Sequence, residues 1–157
     1  MANGEILACS KFYVKMDGLE DLYVKSISGI AITLDTTGDT KPFGVSKDGV
    51  TQMQATITGC TTGTVTIVYV GTTDEKKLQQ WYADCHSAPM LGGGTASAGA
   101  LKSGSIVLYN QGGKEAATWT FTGAMCKSYK TSKFAPDSTE LFTETVEVGF
   151  HSLLRTK

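Results

Sequence analysis

A two-residue alternation of apolar and polar side chains runs through much of this sequence and points to β structure. In STELFTETVEVGF, residues 138–150, the even positions from Phe142 onward read Phe, Glu, Val, Val and Phe, whereas the odd positions read Thr, Thr, Glu and Gly. Because successive side chains of a strand point to opposite faces, this segment predicts a strand with one buried face and one polar face. KFYVKM and TQMQATITG alternate in the same way, and TVTIVYV, apolar on both faces, indicates a central strand.

Turn signals separate these strand-like runs. The segment QGGK, residues 111–114, predicts a hairpin turn. A second Gly-rich segment, which contains Pro42, predicts the tip of a long hairpin over about residues 36–58. The 157 residues are enough for one domain, residues 1–157, with a full core. We therefore expect a mainly β fold, an antiparallel β-barrel or a two-sheet sandwich.

One segment departs from the alternation and predicts a single flanking α-helix over about residues 73–87. Thr72 and Glu75 are spaced for a capping box, and Pro89 would end the helix. The Gly-rich residues 91–105 that follow predict a surface loop. Four residues at i, i+3, i+4 and i+7 form the apolar stripe by which the helix would pack on the sheets: Leu78, Trp81, Tyr82 and Cys85.

Composition excludes several classes of function. The net charge is −1, so the chain lacks the excess of basic residues that general nucleic-acid binding needs. The apolar runs are too short to span a membrane, so no direct membrane insertion is expected, and the N-terminus carries no signal-peptide pattern. The four cysteines form no Cys-x-x-Cys pair and the two histidines complete no zinc pattern, which predicts reduced thiols in a cytoplasmic product and no metal or cofactor.

No catalytic constellation emerges from the reactive residues. Cys85 and His86 are adjacent, so on a helix they point about 100° apart and do not face each other as nucleophile and base. GTASAG lacks the lysine of a phosphate-binding loop. The carboxylates Glu140, Glu144 and Glu147 have no identifiable partner, and a solvated acidic strand face explains them more simply. The expectation is a protein without enzymatic activity.

Apolar residues in the long hairpin indicate a contact with another molecule. Exposed apolar side chains at its tip would be unusual on an isolated monomer and are explained if a neighbouring subunit covers them. The residues considered for this role are Pro42, Phe43, Val45 and Val50. The pattern describes either a binding module or an assembly subunit, and composition does not choose between them.

The order of motifs resembles the tube proteins of contractile phage tails and extracellular injection systems, which are relatives of the type VI secretion tube protein. The resemblance extends from about Phe12 to Leu154. Its landmarks are KFYVKMDG, VKSISGIAI, the hairpin through KDGVTQMQATITG and the helix TDEKKLQQWYAD. The closing pair of strands, ATWTFTGAMCKSYKTSKFAPDSTELFTETVEVGF, is the most specific landmark. The Gly-rich loop is longer than the resemblance leads us to expect.

The resemblance implies a six-stranded type of barrel with a flanking helix, assembled as hexameric rings that stack into a hollow tube. The implied partners are further copies of the chain, a sheath protein, baseplate or spike-hub and tube terminator proteins, and effector or DNA cargo in the lumen. Assembly would take place in the bacterial cytoplasm, before the tube becomes part of a virion or injection particle. Glu144 and Glu147 are candidate lumen-facing residues. The alternatives are a monomeric β-sandwich that binds a ligand such as a carbohydrate, and a small hydrolase that uses Cys85 or a carboxylate.

Overall fold

A computed structural model describes residues 4–37, 44–51, 56–73, 76–85 and 101–157. Among these residues the strands are antiparallel and one helix accompanies them, so the predicted sandwich with a flanking helix is confirmed. In chain order the elements are β1 (Phe12–Met16), β2 (Val24–Ser28), β3 (Ile32–Thr37), β4 (Thr56–Thr62), β5 (Val65–Val70), α1 (Lys77–Cys85), β6 (Lys102–Tyr109), β7 (Glu115–Thr131), β8 (Thr143–Gly149) and β9 (Ser152–Arg155).

Two sheets form the body, and the long strand β7 belongs to both. In the first sheet, β6 lies between β1 and the first half of β7, and β9 pairs with the other edge of that half. In the second sheet, β8 lies between β5 and the second half of β7, and β2 pairs with β5. The predicted central strand TVTIVYV is β5, which has a partner on each side. A strand that changes sheet in this way forms a corner of a sandwich.

Glycine makes the change of direction in β7 possible. Gly123 has a φ of 63° and lies at the register shift between Phe121 and Ala124, the last residues of β7 that pair with β6, just before the pairing with β8 begins at Met125. A Cβ atom at this position would lie only 2.4 Å from His151 Nδ1. His151 connects β8 to β9, and its backbone N–H donates to the Thr122 carbonyl over 3.0 Å. The bend of β7 and the junction of its two partners therefore pack closely against each other.

Alternate residues of the strands fill the space between the sheets, and α1 packs on the same core. Tyr69 and Phe121 are the largest fully buried side chains. On α1 the structure buries Leu78, Trp81 and Cys85, and packs Tyr82 against the core. Further buried members of this core are Val14, Met16, Leu19, Leu22, Val65, Ile67, Ile106, Ala124, Cys126, Val146, Val148, Phe150 and Leu153.

β3 and β4 pair only with each other among the described strands and form a separate two-stranded ribbon. Every residue of β3 is exposed. The ribbon leaves the second sheet between the end of β2 and the start of β5, where the Gly63 N–H donates to the Ala31 carbonyl over 3.0 Å. Nothing in the described part of the chain buries either of its faces, so the ribbon projects from the sandwich.

Some element boundaries differ from the sequence-based ones. The helix begins at Lys77 rather than near residue 73, and Thr73 lies in a turn; Glu75 and residues 86–87 lie outside the described residues. The loop predicted for residues 91–105 ends earlier, because β6 begins at Lys102 and pairs Gly104 with Met16 of β1. The paired stem of the long hairpin begins at Ile32, before the predicted residue 36, and ends at Thr62. Backbone pairing with a neighbouring strand sets the limits of the loop and of the hairpin stem.

Candidate assembly surfaces

The projecting ribbon has one apolar face. Cross-strand pairing places Ile32 opposite Thr62 and Leu34 opposite Cys60, and a bulge after Asp35 shifts the register. Ile57 then lies opposite Thr36, on the face that carries Ile32 and Leu34. The exposed fractions are 47% for Ile32, 56% for Leu34 and 63% for Ile57. Apolar side chains that share one face and stay in water are typical of a surface that another protein covers.

The opposite face of the ribbon is polar and internally bonded. The Thr61 hydroxyl donates to Asp35 Oδ2 over 2.7 Å, and the Thr58 hydroxyl donates to the Asp35 carbonyl over 3.1 Å. These bonds hold the bulge in place without core contacts. The ribbon is therefore amphipathic, with an internally bonded polar face and an apolar face that no described residue covers.

The tip of the hairpin also exposes apolar side chains. Val45 is 66% exposed and Val50 63% exposed. An isolated bridge between Val45 and Thr51 holds the two arms together, and the Ser46 N–H donates to the Val50 carbonyl over 2.8 Å. Pro42 and Phe43, the other predicted contact residues, lie outside the described residues.

The strand edges of the sandwich at β1 and β2 are open among the described strands. β1 pairs only with β6 and β2 only with β5 among the described strands, so each has one free row of backbone groups. A groove of about 620 Å³ lies between them, lined by residues of β1, β2 and the segment before β2. Tyr13 lies at this groove, where its hydroxyl donates to the Glu20 carbonyl over 3.3 Å. Open edges are sites at which strands of another chain can pair.

Glu144 and Glu147 lie on opposite faces of β8. Glu147 pairs with Thr66 of β5 and points away from the core, on the same face as Thr143 and Thr145. Glu144 is only 9% exposed and points into the sandwich with Val146. A side chain buried inside its own subunit cannot line a lumen, and it is not part of a solvated acidic face either. Both interpretations are therefore wrong for Glu144. Glu147 points away from the core, so either interpretation still applies to it.

Glu144 has a partner that the sequence did not reveal. The Tyr129 hydroxyl of β7 donates to Glu144 Oε1. Burial raises the pKa of Tyr129 to about 12, and the hydrogen bond to the Glu144 carboxylate and its charge add to this effect. Tyr69 lies directly opposite Glu144 on β5, and its buried hydroxyl has no partner among the described residues. Burial also raises the pKa of Tyr69 well above its usual range, with a smaller contribution from Cys126. A small polar cluster thus interrupts the apolar core.

A model of the family described as T4-like virus tail tube protein gp19 matches residues 9–153. The chain belongs to this family. The resemblance to contractile tail tube proteins is thereby confirmed, and the role that the family describes is structural. A search of curated proteins finds no significant match.

Solved structures show how widely this fold is shared. A chain of the PVC extracellular contractile injection system, in its extended sheath-tube complex, is 18% identical with a TM-score of 0.73, over 98% of this chain and 93% of that chain. A chain of the 6-fold symmetrised baseplate of the anti-feeding prophage is 13% identical with a TM-score of 0.71, over 97% and 96%. Hcp1 from Flavobacterium johnsoniae is 16% identical with a TM-score of 0.53, over 92% and 94%.

In this tail tube family member, Cys85 and the residues near it are engaged in packing and hydrogen bonding. Cys85 is buried in the helix stripe, and Asp84 accepts a hydrogen bond of 2.8 Å from Gln80 Nε2. His86 lies outside the described residues. Burial raises the pKa of Cys126 to about 12, and the neighbouring Cys85 contributes further, which disfavours a reactive thiolate.

The described residues contain no group of side chains that could hold a metal ion. None of the helices described is long and apolar enough to cross a membrane.

The loop between β7 and β8 carries an apolar patch that the sequence analysis missed. We call Phe134, Leu141 and Phe142 the rim patch; they are 75%, 66% and 38% exposed. The rings of Phe134 and Phe142 stack with centroids 5.7 Å apart and planes at 19°. Two aromatic residues and a leucine in a loop rich in polar residues are the signal in the sequence, because several large apolar side chains close together are rarely left in water without a reason.

Proposed function

We propose that the chain assembles into hexameric rings which stack into the hollow inner tube of a contractile tail or injection system. The observation that carries this proposal is the amphipathic ribbon β3–β4, whose apolar face has no partner among the described residues. In a ring, an adjacent copy would cover that face, and the open edges of β1 and β2 would pair with strands of neighbouring copies. Closure of a ring removes exposed edges from every subunit at once.

Membership of a tube family and the structures with the same fold support a proposal about the partners. We propose a sheath protein around the tube, a baseplate or spike hub and a terminator at its ends, and effector or DNA cargo in the lumen. Both the PVC sheath-tube complex and the anti-feeding prophage baseplate contain chains of this fold. Assembly would take place in the bacterial cytoplasm, and the chain would have no enzymatic role.

The proposal is tested by disrupting each face of the ribbon separately. Leu34→Asp puts a charge on the apolar face, and Thr33→Asp puts the same charge on the polar face of the same strand. Size-exclusion chromatography and negative-stain electron microscopy should show rings or tubes for the wild type and for Thr33→Asp. Leu34→Asp should remain a monomer, because covering a charge in an apolar contact is costly. A wild type that stays a 16.7 kDa monomer with or without its baseplate partners would overturn the proposal and favour a ligand-binding module.

We also propose that the polar outer face of β8, with Glu147, Thr143 and Thr145, lines the lumen. A weakly acidic, hydroxyl-rich wall would allow cargo to pass without being captured. Glu147→Lys should therefore leave tube assembly intact and lower the amount of cargo recovered in purified particles. Glu147→Gln, which removes the charge without reversing it, is the matched control and should have a smaller effect. Equal cargo content in wild type and Glu147→Lys would contradict the lumen assignment.

A further inference from the structure

The helix α1 lies on β7, and two tyrosine side chains mark one place where they meet. α1 packs against β7, and the ring centroids of Tyr82 and Tyr129 are 6.5 Å apart. Cys85 follows Tyr82 by three residues, so it lies on the same side of the helix, one turn later. Cys126 precedes Tyr129 by three residues on β7. Each element therefore carries a cysteine close to the contact between the tyrosines.

A bulge in β7 brings Cys126 to the same face of the strand as Tyr129. Residues three apart in a regular strand point to opposite faces. The register of β7 shifts between Cys126 and Ser128, and the extra residue allows Cys126 to be buried while Tyr129 also packs against the core. The bulged stretch spans two regular strand steps, about 7 Å, and three helical residues span about 4.5 Å. The two elements can therefore meet at the cysteines as well as at the tyrosines.

The thiols of Cys85 and Cys126 lie in one buried region. Cys85 is 5% exposed and Cys126 is 0% exposed, and both free thiols belong to the core that α1 shares with the sheets. Burial is the main cause of the raised pKa of Cys126, and the charge of Cys85 adds to it, as expected for neighbouring thiols. The Cys126 charge likewise adds to the raised pKa of Tyr69, whose buried hydroxyl has no partner among the described residues. A polar donor therefore lies near the two thiols.

We propose that Cys85 and Cys126 form a modification site, at which a hydroperoxide joins the two thiols as a disulfide that fixes α1 to β7. The inference concerns the single subunit and does not depend on the proposed tube function. Cys85 reacts first, because it is the more exposed of the two thiols and ends the helix. Its thiolate attacks one oxygen of hydrogen peroxide and the O–O bond breaks. The other oxygen leaves as hydroxide, which takes up the proton that Cys85 released.

The second step forms the disulfide. The Cys126 sulfur attacks the sulfur of the Cys85 sulfenic acid, the S–O bond breaks, and the departing hydroxide takes up the Cys126 proton to give water. In total, two thiols are oxidised to one disulfide and one hydrogen peroxide is reduced to two molecules of water. The Tyr69 hydroxyl can donate a hydrogen bond to the sulfenic oxygen, which would otherwise be a costly buried polar group. Burial disfavours the Cys126 thiolate, so this second step is slow.

Peroxide treatment of the folded chain tests the pairing. The background carries Cys9→Ser and Cys60→Ser, because these two free cysteines are exposed and would react first. After incubation with hydrogen peroxide, the remaining thiols are blocked with N-ethylmaleimide in denaturant, and the protein is digested without reduction. Mass spectrometry should find a peptide that joins residues 85 and 126. The matched control carries Asp84→Cys with Cys85→Ala; residue 84 is exposed and points about 100° away on the helix, so no 84–126 peptide should form.

The yield of the joined peptide decides the inference in both directions. An 85–126 peptide in most of the chains, together with a control at background level, supports it. Three results would overturn it: both thiols unchanged, sulfinic or sulfonic acids without the joined peptide, or an equal yield from the control. Each of these results is independent of whether the chain forms rings, so the proposed function is tested separately.

Single variants and thermal unfolding provide further readouts. In Cys126→Ala the Cys85 sulfenic acid should persist and be trapped by dimedone, whereas in Cys85→Ala the Cys126 thiol should stay unmodified; the opposite pattern would overturn the proposed first step. A disulfide restricts the unfolded chain, so the oxidised protein should unfold at a Tm about 4–16 °C above that of the reduced protein. Equal Tm values would contradict the conclusion that the disulfide fixes α1 to β7.

Discussion

Replacement of Tyr129 by phenylalanine is expected to destabilise the folded chain although it removes a single oxygen atom. Glu144 is 9% exposed, and Tyr129 donates a hydrogen bond to its carboxylate. The directly opposite residue on β5, Tyr69, has a hydroxyl without a partner among the described residues. Without the Tyr129 hydroxyl, the carboxylate would have weaker compensation for the water that it loses on folding.

The size of the effect follows from the burial of Glu144. Leaving a buried polar group unsatisfied costs about 1–3 kcal/mol, and more when the group is charged. Since Glu144 retains some contact with solvent, we expect Tyr129→Phe to lower the free energy of unfolding by about 2 kcal/mol. For a chain of this length each kcal/mol lowers Tm by about 2–4 °C, so the expected shift is about 4–8 °C. Glu144→Gln should cost about 1 kcal/mol, because the amide can still accept the hydrogen bond without a charge to solvate.

A double-mutant cycle at pH 7 isolates the interaction. Urea denaturation of the wild type, both single variants and Tyr129→Phe with Glu144→Gln gives the coupling free energy. The double variant should be more stable than the sum of the single effects predicts, since the uncompensated charge is gone. Two results would refute the reasoning: a Tyr129→Phe variant within about 0.5 kcal/mol of wild type, or single effects that add to within about 0.3 kcal/mol.

Two further predictions concern alkaline stability and the bend of β7. Burial raises the pKa of the Cys126 thiol from 9.0 to about 12 and that of Tyr129 from 10.0 to about 12, so the unfolded chain loses these protons first. The stabilisation that these two protonated groups provide is therefore fully present below about pH 9 and is lost as the pH rises toward 12. Urea midpoints measured from pH 8 to 11 should fall less steeply for Cys126→Ala than for the wild type. Equal slopes for the two proteins would contradict this prediction. At the bend, Gly123→Ala should cost more than Gly113→Ala, because both glycines have positive φ but only Gly123 would place a Cβ against His151. The Gly113 variant should lose about 1–2 kcal/mol from backbone strain, and thermal unfolding should show a clearly larger loss for Gly123; equal losses would show that the contact with His151 is unimportant.

The strands and their buried faces could be predicted well from local pattern. The alternation around β8 placed Val146 and Val148 on one face, and both are fully buried. The change of sheet in β7 could not be predicted, because it depends on which strands pair with each half. Gly123 has its positive φ where the chain packs against His151, a contact between distant parts of the sequence.

The assembly surfaces could be predicted only in part. Ile32 and Leu34 follow the same alternation as core residues, yet both are exposed on the ribbon. The alternation of apolar and polar residues predicts that one face of a strand is buried. It does not indicate whether the same chain or another copy covers that face. The pattern also placed Glu144 on the apolar face of β8, but its partner Tyr129 lies on β7, and only the pairing of these two strands brings them together.

The apolar residues of the chain fall into two groups: those covered within the subunit, and those exposed on the proposed assembly surfaces. Phe121, Ile67 and Val146 are covered within the subunit, so the sandwich has a complete core of its own. Leu34, Ile57 and Phe134 are on elements outside this core, and more than half of each side chain is exposed. Polar substitutions at the second group should therefore weaken assembly while leaving unfolding of the subunit nearly unchanged, whereas substitutions in the first group should do the reverse. This separation allows one folded subunit to be added repeatedly to a growing tube, because no part of its core has to open when a neighbour binds.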